Sequence, residues 1–132
     1  MSFTDPIGDM ITRIRNAQMR LKKDVIVPAS RLRKTVLEAL LQEGYIKGIE
    51  EVGETPRERS FVVQLKYVKS RPVIREIRRI SKPSVHFYRK ARENKPVANG
   101  LGSLILSTSA GVLSDSKARA LGIGGKVLLY VS

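Results

Sequence analysis

Between Pro6 and Val68 the spacing of apolar residues changes from helical to strand-like and back, and this pattern constrains the fold more than any other feature. Ile7, Met10, Ile11 and Ile14 recur three and four apart, the period of one buried helical face, with Asp5 as cap and Pro6 as first helical residue. "DVIVP", Asp24 to Pro28, is short and β-branched and reads as a strand stopped by proline. Ser30 then caps a second helix that places Leu32, Val36, Leu37, Leu40 and Leu41 inward and stops at Gly44. "YIKGIEEVG" and "SFVVQLKYV" form two strands around the polar turn "ETPRER". The order is αβαββ, which closes near residue 68 if both helices cover one face of the sheet.

The second half reads as mostly β. Ile74, Ile77 and Ile80 fit a helix as well as a strand, but the "RP" and "KP" pairs on either side favour a strand over 73–81. "VHFY" is a short strand, "NGLG" a turn, "SLILSTS" a strand buried at its apolar end, and "KVLLYV" a closing strand. "SDSKARALG" is a short helix with Ser114 as cap and Gly122 as stop. The expected class is therefore α+β, two small packed modules: residues 1–68, αβαββ, and residues 69–132, mainly β with one short helix. The modules meet where Tyr67 to Pro72 shifts in charge and pattern.

Charge narrows the partner. The 132 residues carry 25 Lys and Arg against 12 Asp and Glu, a net +13, which calls for a polyanion, most commonly nucleic acid. The excess is local: residues 69–95 hold ten basic and two acidic residues, whereas 24–68 hold seven of each. His86, Phe87 and Tyr88 sit within that basic run, so cations meet phosphates while a ring stacks on a base. Arg78, Arg79 and Lys82 are the candidate phosphate contacts there. There is no cysteine, which removes disulfides, thiolate zinc sites and thiol chemistry. Neither a secretory signal nor a long apolar run is present, so a soluble cytoplasmic protein with no membrane partner is expected.

"LSTSAGVLSD", Leu106 to Asp115, places three consecutive hydroxyls and a glycine in an uncharged stretch. An esterase elbow needs glycine two positions either side of the serine, and Ser109 has Ser107 and Gly111, half the motif. A hydrolase built on Ser109 and His86 is the rival from another class, and a DNA-compacting basic protein a second. "GLGSLI" and "GIGGKV" both fail the dinucleotide pattern, and carboxylates are too sparse in this half for a paired-acid or metal site. No catalytic residue, metal ligand or cofactor is assigned. Two readings of the cluster remain open. One is a polar loop feeding the Ser114 cap. The other is a surface of short neutral side chains that read base edges and the 2′-hydroxyl.

Four pieces in order resemble the bacterial small-subunit ribosomal protein eight family (uS8): "DPIGDMITRIRNA", "VPASRLRKTVLEALLQEGYI", "RRISKPSVHFY" and "NGLGSLILSTSAGVLSDSKARALGIGGKVLLYV". The resemblance implies a non-enzymatic primary binder of 16S rRNA in its central domain, which promotes subunit assembly beside neighbouring small-subunit ribosomal proteins. It implies that Ser107, Thr108, Ser109 and Gly111 form the RNA-reading loop, with Tyr88 against the RNA. Lys126 is a further candidate RNA contact. Thr4, Arg15, Ser30, Arg31 and Lys34 would supply a second contact surface. In some bacteria the family also represses its own operon mRNA. Two residues depart from the family pattern: Lys117 and Lys126 stand where acids are common, so a carboxylate that could accept hydrogen bonds beside the hydroxyl loop is absent, and Lys117 leaves the Ser114 capping box incomplete.

Overall fold

The computed structural model describes residues 5–96 and 101–132. Thr4 and part of the "NGLG" turn lie outside the described residues. The described elements are helical and antiparallel, an α+β fold, and they divide into two units: Pro6–Arg75, and Glu76–Ser132 together with Asp5.

In the first unit, α1 (Pro6–Met19) buries Ile7, Met10, Ile11, Ile14 and Ala17, the face that the periodicity predicts. Strand β1 (Asp24–Pro28) follows, then α2 (Arg31–Gln42), whose Ser30 cap accepts from the Arg33 backbone N–H at 3.1 Å. Val36, Leu37, Ala39 and Leu40 are buried on α2, but Leu32 and Leu41 are exposed. These two flank the buried stripe, which is narrower than the run of leucines suggests. Strands β2 (Ile46–Val52) and β3 (Ser60–Leu65) form the expected hairpin, and β3 lies between β2 and β1. Along β3, Phe61, Val63 and Leu65 are buried while Gln64 is exposed, the alternation of a sheet covered on one face. Arg33 clamps the unit: its guanidinium donates to the carbonyls of Pro6 and Pro28 and pairs with Asp9 at 3.0 Å.

The run "SFVVQLKYV" is not one strand, because a small hairpin, β4 (Tyr67–Val68) with β5 (Arg71–Pro72), starts after Lys66. Its turn residues Lys69 and Ser70 both have positive φ. The contacts divide the chain after Arg75, whereas the sequence pattern shifts at 68/69. Residues 69–75 fold back onto the first unit, with the Val73 N–H donating to the Lys66 carbonyl and Gln18 Nε2 to that of Ile74.

In the second unit the strand expected over 73–81 shrinks to β6 (Ile77–Arg79). Ile74 is buried in the first unit and Ile77 in the second, so the shared spacing of the isoleucines reflects two cores. "VHFY" is not a strand either. Lys82 and Val85 close a turn with reciprocal backbone bonds of 2.7 and 3.1 Å, and extended pairing begins only at β7 (Tyr88–Arg89). Strand β8 (Ser103–Thr108) is buried at its apolar end as expected, but β9 (Gly111–Ser114) was not foreseen. Helix α3 (Asp115–Leu121) has its Ser114 cap and its left-handed Gly122 stop, and β10 (Gly125–Val131) is central, in the order β6-β10-β8-β9 with β7 also on β10. The Ser114 bond to the Lys117 N–H is 3.3 Å, at the long end of the range.

Candidate nucleic-acid interface

The hydroxyl cluster is the tip of the β8–β9 hairpin. Thr108 pairs with Gly111 and Ser107 with Val112, leaving Ser109 and Ala110 as turn residues. Both of these keep negative φ, and Gly111, at φ +107°, supplies the left-handed step that returns the strand. Thr108 spends its hydroxyl on this turn: Oγ1 donates to the Gly111 carbonyl at 2.7 Å and accepts from the Ala110 N–H at 3.1 Å. Ser109 is exposed and Ser107 half-buried. A Cβ at Gly111 would meet nothing within 4 Å, so the outer side of the turn is open.

Strand register assembles the rest. Lys126 on β10 pairs with Tyr88 of β7 on one side and Ser107 of β8 on the other. Residues directly opposite in an antiparallel pair share a face, so Tyr88, Lys126 and Ser107 form one cross-strand row. The row sets a ring, a cation and a hydroxyl side by side, with Tyr88 73% exposed. Gly125 makes this spacing possible: a Cβ there would sit 2.2 Å from the Ser107 carbonyl oxygen. "GIGGKV" lacks the dinucleotide pattern, and the second glycine of its pair is required instead for the close approach of β10 to β8.

Two buried side chains brace the row, and neither was singled out in the sequence. Ser81 is fully buried, and its Oγ accepts from the Phe87 N–H at 2.9 Å and donates to the Phe87 carbonyl at 3.3 Å, fixing the segment that enters β7. Asp115, 3% exposed, accepts from the Leu104 N–H at 3.1 Å and from Arg119 at 2.6 Å, tying α3 to β8. Sequence does not show their partners, because Phe87, Leu104 and Arg119 are joined to them only by the fold.

The cations differ in freedom. Arg78 is exposed, its guanidinium 4.9 Å from the centre of the Tyr130 ring, with Glu76 at 3.7 Å. Arg79 is held inside: its side chain is 14% exposed, donates to the Asp5 carboxylate at 3.2 Å and to the Leu128 carbonyl at 2.7 Å. The expected Asp5 cap thus carries an ion pair. Lys82 is exposed and Lys126 half-buried. In the first unit Arg15, Arg31 and Lys34 are exposed on α1 and α2, and the half-buried Ser30 is engaged as a cap.

Among the described residues no group of three His, Cys, Asp or Glu could hold a metal ion, and no helix is long and apolar enough to cross a membrane. A family model described as "Ribosomal protein S8" matches residues 5–132. The chain belongs to the ribosomal protein S8 family. Curated relatives named small ribosomal subunit protein uS8 share 51% identity in Paracoccus denitrificans and 50% in Halorhodospira halophila, each over 99% of both chains. One from Cereibacter sphaeroides is 50% identical over the same shares. S8 proteins are ribosomal proteins and not enzymes, which sets aside the Ser109–His86 hydrolase reading.

Proposed function

We propose that this chain is a component of the small ribosomal subunit that binds 16S rRNA directly, in its central domain, and helps nucleate assembly there. The observation that carries the reading is the register row Tyr88, Lys126 and Ser107, continued by the exposed turn at Ser109. It joins what RNA discrimination needs: a face for stacking, one charge for a phosphate, and neutral hydroxyls for base edges and the 2′-hydroxyl. Arg78 and Lys82 add sequence-independent attraction, while Arg79 serves the fold. Arg15, Arg31 and Lys34 form a second, backbone-contacting surface, with neighbouring ribosomal proteins as further partners in the cytoplasmic ribosome. Because the row reads RNA shape, a messenger that copies the rRNA site would compete for it, which is how the chain would repress its own operon.

Ser107→Ala and Ser109→Ala test the reading. Each loses about 1–3 kcal/mol of affinity for the rRNA site, the cost of a polar partner left unpaired, and little for random RNA. Filter binding with both RNAs measures this. Equal losses on the two RNAs would contradict it, and footprinting on small-subunit rRNA locates the site.

A further inference from the structure

The sheet of the second unit has a second face. On β8, Ser107 and Leu104 are an odd number of residues apart and so lie on opposite faces. Lys126 pairs with Ser107, but Tyr130 pairs with Leu104 and, on its other side, with Arg78. Tyr130 and Ile80 pack there on the small core of Leu104, Leu106 and Val127. Beside them Arg78, Arg79, Ile80, Lys82, Val85 and Phe87 line a groove of about 410 Å³. Phe87 and Tyr88 are successive residues of the chain, and only the phenylalanine lines the groove.

Phe87 is 51% exposed and Val85 47%, an unusual display of apolar surface on a loop so firmly held. The Lys82–Val85 turn is closed by two backbone bonds, and both backbone groups of Phe87 are held by the buried Ser81 hydroxyl. The ordering that a ligand would otherwise impose is already in place. Among the described residues no acidic residue lines the groove; Arg79 is occupied by Asp5, while Arg78, with Glu76 at 3.7 Å, and Lys82 are exposed. An exposed phenyl ring with apolar neighbours, lining one groove with two exposed cations, is complementary to a planar ring attached to phosphates. The groove is lined by the end of β6 and the Lys82–Val85 turn, six residues in all, which suits one such group.

We propose that this groove receives one unstacked nucleobase of the RNA, stacked on Phe87 with its phosphates against Arg78 and Lys82. The inference rests on the RNA-binding reading above and adds a contact on the face opposite the hydroxyl row. The chain has no tryptophan, so Phe87→Trp installs a single reporter where a base would stack. Titration with small-subunit rRNA quenches its emission at the midpoint found by filter binding. Phe87→Leu keeps the apolar bulk but not the flat face, and binds the rRNA about ten-fold more weakly with an unchanged urea midpoint. Unquenched Phe87→Trp emission with rRNA retention intact, or a Phe87→Leu variant that binds as tightly as the parent, overturns the proposal. So does quenching that needs small-subunit proteins and not RNA, which would make the groove a protein site. If the parent chain itself fails to retain rRNA, the RNA-binding reading fails and the groove assignment falls with it.

Discussion

Replacing Arg79 by alanine removes a guanidinium that holds both the Asp5 carboxylate and the Leu128 carbonyl. The expected outcome is a loss of about 2 kcal/mol of stability in urea unfolding, with the salt dependence of RNA binding unchanged. The neighbouring arginine behaves otherwise, since Arg78 lies over Tyr130 at the surface. Sequence alone does not separate the two. Both sit in one basic run, and what distinguishes Arg79 is an acid 74 positions away in the chain. Thr108 makes the same point: its hydroxyl type was legible, but its use in the turn followed only from the hairpin.

The β8–β9 hairpin makes its own demand on Gly111. Gly111→Ala forces a β-carbon into the left-handed region, although space around it is open, and destabilises the unit by about 1 kcal/mol. Thermal unfolding checks this, and a variant as stable as the parent would refute the role given to this glycine. These elements were legible because their periodicity is local: α1, β1, α2 with its Ser30 cap, β2, β8, α3 and β10 lie where spacing and caps place them, and β3 does so up to Leu65. The misses were short and held by distant partners. β9 is four residues whose pattern merges into the cap of α3, and "VHFY" has strand-forming residues whose backbone is claimed by Ser81 and Lys82. Isoleucines at 74 and 77 look like one strand because sequence does not say that the chain changes core between them.

Over the whole molecule, a charge of +13 makes binding to RNA steeply sensitive to salt. Lys82→Ala reduces the slope of log affinity against log salt by about one unit and weakens specific and random RNA alike. Fluorescence titration at several salt concentrations measures it, and an unchanged slope would show that Lys82 meets no phosphate. The family was legible from four motif segments, and the candidate site in part. The hydroxyls and Tyr88 were visible as residue types, but their alignment with Lys126 depends on strand register, which no local pattern encodes.

In β10 the pairing slips by one residue between Val127 and Leu129. Had the strand run without that slip, Lys126 and Tyr130 would stand an even number of steps apart and look the same way. The single extra leucine acts like a half-twist in a ribbon, turning the far end over. It gives this sheet a front and a back, and the two contacts proposed for RNA fall one on each.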